Sequence, residues 1–271
     1  MRTMNQNIVK KAQSFAARWG FLTQDLFYDF ICKMSPTQNY RYWHHLIQSG
    51  LFVVSKASPH VLILSRKSRQ EIFGKEARPS RLPMYIQHDA IAARFILLLS
   101  QTGLVENFWL EDDLLRNKIL GYQLLGAERI NRIPDVIFDL KTPTGVLRCG
   151  LEVERTTKTL ARYAKMALAY QGHKKIGIVI LACGSPYTEG AVAKAFKFNL
   201  SEDVRKAPGL FQYSSLQSNG LRTTIRFAQN EFSLAKFLEV VTKQTVELSE
   251  PKRNLNEKSI SFRNQKNTEA A

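Results

Sequence analysis

Cysteine is scarce in this 271-residue sequence: Cys32, Cys149 and Cys183 lie far apart in apolar surroundings, with no CxxC pair among them. That spacing argues against a zinc cluster or a CxxC redox centre and leaves buried free thiols. Long apolar runs are missing as well. No stretch approaches the ~20 residues needed to cross a bilayer, and the opening MRTMNQNIVKK has no apolar signal core, so a cytoplasmic chain without membrane insertion is expected. There is no Gly-Lys-Ser/Thr phosphate loop, which excludes a Walker-type nucleotide site. There is also no His-x-His alternation to place two imidazoles on one strand face; the adjacent His44 and His45 diverge.

Acidic residues are the remaining shortfall, 23 Asp plus Glu against 39 Lys plus Arg, for a net charge of +16. Such a bias favours a polyanionic partner, and nucleic acid leads on charge alone. With 44% hydrophobic and 23% charged residues, the chain has the composition of an ordinary folded protein, long enough for one or two domains.

The amino-terminal third is organised by helix signals. Ile8, Val9, Ala12, Phe15, Ala16 and Trp19 recur at helical spacing before Gly20. Thr23 caps a second helix with Leu26, Phe27, Phe30 and Ile31 on its apolar side, and Ser35-Pro36 opens a third that runs to Gln48. The apolar runs 51–55 and 60–64 then form a hairpin. Three helices and a hairpin predict a winged helix-turn-helix DNA-binding domain over residues 1–73. Its third helix is the recognition helix, offering Gln38, Asn39, Arg41 and His45 to duplex DNA, with Tyr40, Trp43, Leu46 and Ile47 as the core stripe. Residues 1–87 carry 13 Lys plus Arg against 4 Asp plus Glu, a net +9. A helical domain used for protein contacts is the competing reading.

Residues 74–87, with Gly74, Pro79 and Pro83 among basic residues, read as a linker. Beyond it, a helix over 88–101, a strand over 104–110 and a short helix over 111–120 precede the central stretch. Later come an apolar strand at 176–182, a helix at 188–198, strands at 210–216 and 221–228, and a closing helix at 231–244. The alternation predicts an α/β domain with a mixed sheet over 88–248. Residues 249–271 lack apolar periodicity and are expected to be a disordered tail.

The central stretch, residues 132–170, concentrates the chemistry. A strand opening with Pro134-Asp135 turns around Thr142–Gly145 into a strand ending Glu152-Val153-Glu154, and a basic helix follows. Neighbouring strands lie ~4.8 Å apart, so Asp135 and Glu152 can share a hard divalent ion. Glu154 lies on the same face as Glu152, as a further ligand or as the base that orients water. Lys158, Arg162 and Lys165 recur at i, i+4 and i+7 and line one helix face, either as a solvated stripe or as cations over the acids, Lys165 foremost. Tyr163 and Tyr170 fit helix packing better than nucleophilic attack.

Pro134-Asp135 followed by Glu152-x-Glu154 resembles the PD-(D/E)xK restriction-endonuclease-like core, with Glu154 at the position that family gives to lysine. Lys158 or Lys165 from the next helix can supply that cation. The wider layout adds His88 at a helix start, Trp109 and Glu111 before a short helix, and Lys165 and Tyr170 on the helix after the acids. It resembles the plasmid replication-relaxation family and the MobC-type mobilization relaxases over roughly residues 8–230. The resemblance implies a restriction-endonuclease-like domain whose Asp135, Glu152 and Glu154 hold Mg2+ or Mn2+, with Glu154, Lys158 and Lys165 as catalytic residues. It implies strand nicking of double-stranded DNA at a plasmid transfer origin, in a relaxosome with an accessory protein and a coupling ATPase. Glu154 in the lysine position supports the alternative, a non-catalytic DNA-binding protein for plasmid replication or relaxosome assembly.

Overall fold

The computed structural model describes residues 5–56, 58–74, 83–127, 130–199 and 208–243, and the chain divides into two compact units at Ala90/Ile91. The first unit begins with α1 (Gln6–Trp19), which buries the six apolar residues of its helical stripe and ends at Gly20, whose φ of 81° no side chain favours. β1 (Leu22–Thr23) leads into α2 (Gln24–Leu26), where the Thr23 side chain accepts from Leu26 N–H as expected of a cap. The turn then widens into a π-helical segment, Phe27–Ile31, a departure from the regular second helix expected. α3 (Pro36–Gln48) starts at the Ser35 cap with proline in its first turn.

A hairpin of β2 (Phe52–Ser55) and β3 (Ser58–Leu64) follows. β1 pairs with β3 antiparallel, so the small sheet has three strands in the order β1-β3-β2. The two-residue β1 is too short to show a period in the sequence. The unit continues in α4 (Arg66–Phe73), capped by Ser65. Residues 75–82 of the expected linker lie outside the described residues. α5 runs from Pro83 to Gln101, five residues ahead of the expected start; proline is tolerated in a first helical turn.

The second unit is built on a seven-stranded sheet in the order β10-β9-β8-β7-β6-β5-β4. In chain order it comprises β4 (Val105–Leu110), α6 (Glu111–Arg116), α7 (Lys118–Leu125), β5 (Val136–Thr142), β6 (Gly145–Glu154), α8 (Leu160–Gln171), β7 (Ile178–Cys183) and α9 (Pro186–Asn199). β8 (Gly209–Gln212), α10 (Tyr213–Asn219), β9 (Thr224–Phe227), β10 (Asn230–Ser233) and α11 (Leu234–Thr242) complete it. β4, β5 and β6 pair antiparallel; β6, β7 and β8 pair parallel; β9 and β10 add an antiparallel edge.

The single short helix expected over 111–120 is two helices, α6 and α7, with Asn117 between them capping the second, and two further elements differ. The strand expected at 210–216 ends at Gln212 and turns into α10, and the closing helix is preceded by the short strand β10. Both are cases where an apolar run is too short for period alone to separate strand from helix. The tail from 249 onward lies outside the described residues. Both sheet faces are covered: Ile137, Val179 and Leu181 pack with Tyr163, Met166 and Phe196, while Phe138 and Phe211 meet Phe95 of α5 at ring distances of 5.9 and 5.4 Å. Double coverage explains the unbroken apolar run of β7. No helix among the described residues is long and apolar enough to cross a membrane.

Candidate acid cluster and basic groove

The register of β5 on β6 pairs Val136 with Leu151 and Thr142 with Gly145, so Asp135, just before β5, comes beside the end of β6 that carries the glutamates. Asp135 Oδ2 accepts from Val153 N–H at 2.7 Å. Its own carbonyl accepts from Glu111 N–H, which ties the start of α6 to the same corner. Side chains alternate along β6, so Gly150, Glu152 and Glu154 share one face. A Cβ at Gly150 would come within 3.5 Å of Pro134 and the Tyr170 ring, which marks this as the face turned to α8. Glu152 and Glu154 are each 1% exposed.

Charges so deeply buried need partners, and here the protein supplies them. Arg132 grips Glu152 with both arms of its fork, Nε to Oε1 at 2.7 Å and Nη2 to Oε2 at 2.6 Å. Tyr170 Oη donates to Glu152 Oε1 at 2.6 Å. Lys158 Nζ lies 2.8 and 2.7 Å from the two oxygens of Glu154, and Arg132 Nη2 stands 3.8 Å from Glu154. Burial, and then the neighbouring Asp135 charge, push the Glu152 carboxyl up to about 7, while Arg132 and Tyr170 draw it back down. Burial and the Glu152 charge hold the Tyr170 phenol well above its ordinary value, so Tyr170 remains a donor at neutral pH.

His173 closes the network behind Arg132. It is 1% exposed, its ring meets Tyr170 edge-on at 5.2 Å, and its Nδ1 has no hydrogen-bond partner. Burial outweighs a hydrogen bond to the Arg132 backbone and lowers the imidazole to about 4. Its neutral form therefore dominates at pH 7.

Asp135, Glu152 and Glu154 are drawn to one corner, yet Glu152 and Glu154 already engage Arg132, Tyr170 and Lys158. Among the described residues no three His, Cys, Asp or Glu side chains form a group able to hold a metal. As arranged, the acids fit internal organic cations rather than a metal ion.

The basic residues expected on one helix face separate in space. Lys158 precedes α8, because Thr159 is its cap residue, and it serves Glu154. Arg162 and Lys165 are exposed and line a groove of about 470 Å³ with Asn131, Arg132, Met166, Leu168 and Ala169. Tyr163 and Tyr170 are packed as expected of helix tyrosines, and the Tyr163 hydroxyl also accepts from Lys158 N–H at 3.1 Å.

In the first unit, Gln38, Arg41 and His45 are exposed on α3. Asn39 is a correction. It is 8% exposed, and its Oδ1 accepts from Met34 N–H at 3.1 Å, which fastens the turn before α3. Tyr40 is the converse: expected in the core, it is 57% exposed and lies 4.2 Å from the His44 ring. Trp43 and Leu46 are buried as expected.

Sequence reasoning missed Arg132, whose position three residues before Asp135 carries no periodic signal in a chain rich in arginine. It also missed the forked pair of Arg148 with Asp139, at 2.8 and 2.9 Å. Opposite charges across a hairpin whose turn was recognised could have revealed that pair, since the register places Asp139 opposite Arg148. All three cysteines are free and buried, and burial pushes the Cys32 thiol up to about 11 and Cys183 to about 12. No family model, curated protein or solved structure matches the chain.

Proposed function

We propose that this protein is a DNA-binding factor of the plasmid replication or mobilization class, in which the first unit is a winged helix that docks on duplex DNA and the second is a non-catalytic, restriction-endonuclease-like platform. Support for the first part is the order of three helical segments and a hairpin, with Gln38, Arg41 and His45 on the outer face of α3 and Lys56 exposed at the hairpin turn. Support for the second is the placement of Asp135 before β5 and Glu152 and Glu154 at the end of β6. The observation that carries the non-catalytic reading is the grip of Arg132 on Glu152. A relaxosome accessory protein and a coupling ATPase remain the partners that the resemblance implies.

Metal-dependent nicking by Asp135, Glu152 and Glu154 with Mg2+ or Mn2+ is the second reading. It is favoured by the juxtaposition of acids with a groove carrying Arg162 and Lys165, and it requires Arg132 to release Glu152. A mobility shift on the cognate origin, paired with a supercoiled-plasmid assay, separates the two. The non-catalytic reading expects an origin complex that survives chelator, weakens in Arg41→Ala and leaves the plasmid closed. Nicked circle formed by wild type with Mg2+ or Mn2+, and abolished in Glu152→Gln, would establish the enzyme instead.

A further inference from the structure

The groove beside the acid cluster has features that the acids do not explain. One wall is the Asn131–Arg132 segment and the other is α8, contributing Arg162, Lys165, Met166, Leu168 and Ala169. Neither Arg162 nor Lys165 makes an ion pair among the described residues, in contrast to Lys158, only a few positions away. Surface cations left unpaired beside a concavity favour an anion.

Arg132 belongs to both environments. Its Nε and Nη2 are committed to Glu152, which leaves Nη1 without a hydrogen-bond partner among the described residues, on a side chain 31% exposed. A guanidinium fixed on one edge by a carboxylate presents its other edge at little entropic cost, and that fork suits phosphate geometry.

The rest of the lining narrows the ligand. Leu168 is 53% exposed and adds an apolar patch to the lining beside Arg162 and Lys165, suited to a sugar or base while phosphates meet the cations. The volume of about 470 Å³ falls in the range of roughly 300–1,000 Å³ usual for small-ligand sites, enough room for a nucleotide unit. We propose that this groove binds the phosphodiester backbone of a single nucleic-acid strand, with Arg162 and Lys165 as phosphate contacts and Arg132 shared between the strand and Glu152. It rests on the DNA-binding reading for the identity of the polyanion, but on separate residues from those that face duplex DNA.

The test uses the full chain, a fluorescein-labelled dT12 and a labelled 30-base-pair duplex, followed by anisotropy across a salt series. Arg162→Gln/Lys165→Gln is compared with wild type and with Arg41→Ala, each verified by its thermal midpoint; both groove positions are exposed, so the fold is expected to survive. The expected result is about a tenfold loss of dT12 affinity in the groove variant and a salt slope shallower by about 1.4, at about 0.7 per single-strand phosphate contact. Arg41→Ala is expected to weaken the duplex and spare dT12. Wild type that ignores dT12, or a groove variant with unchanged affinity and slope, overturns the proposal. Failure to bind the duplex alone counts against the winged-helix reading and leaves the groove to be judged on dT12.

Discussion

At the scale of single residues, Arg132 governs the site. The Glu152 carboxyl, already raised to about 7 with Arg132 in place, takes up a proton when the guanidinium is removed. The loss is then that of an under-satisfied buried polar group, about 1–3 kcal/mol. Arg132→Ala is therefore expected to destabilise the protein by about that amount in urea unfolding, with Glu152 left to Tyr170 alone. Arg132→Met combined with Glu152→Leu is expected to recover most of it, because an apolar pair of similar volume removes the desolvation cost. Equal stability of Arg132→Ala and wild type would show that the pair is not formed in solution.

His173 gives a second prediction, with a definite sign. Its imidazole falls from an ordinary 6.5 to about 4 in the folded chain, so the unfolded chain takes up the proton first as pH drops. The stabilising contribution is complete above about 6.5 and is lost on acidification towards about 4, by on the order of 3 kcal/mol. The Arg132 charge opposes protonation and Tyr170 packs against the ring. Glu152, raised to about 7, acts in the opposite direction over about 4.5 to 7, so the informative quantity is the difference between wild type and His173→Gln. That difference is expected to shrink as pH falls from 7 to 4 in denaturation curves; a difference that is flat with pH would contradict it.

At the scale of elements, the close approach between the ends of β6 and β7 makes a third prediction. Gly184 donates to the Glu154 carbonyl at 2.8 Å, and a Cβ there would fall 2.2 Å from the Arg155 carbonyl oxygen. Backbone has to move, so Gly184→Ala is expected to cost about 2–3 kcal/mol in thermal or urea unfolding, whereas Gly190→Ala, with open space around it, is expected to be nearly neutral. Elements with a long period or a strong cap were readable: α1 from its apolar stripe, α3 from Ser35-Pro36, and the β5–β6 hairpin from Thr142–Gly145. β1, β10 and the π-helical turn were not, because two to five residues carry no period and their conformation is set by partners distant in sequence. The candidate site divides in the same way. The acids were legible because carboxylates on apolar strands are unusual, and Asn39 was misplaced because a polar residue at a helix start can face inward to fasten a turn.

At the scale of the whole molecule, a net charge of +16 makes any nucleic-acid affinity strongly dependent on salt. Duplex binding is expected to weaken along a straight log–log line, by about 0.9 per phosphate contacted, and a salt-independent affinity would speak against the phosphate contacts proposed. On the reading proposed above, the acid corner carries its own cation in Arg132 and the second unit is a platform. The most direct measurement is anomalous diffraction from crystals of wild-type protein equilibrated with Mn2+. Arg132 is expected on Glu152, with no anomalous peak at the acids. A peak within ligand distance of Asp135 and Glu152, with the guanidinium displaced, would contradict it.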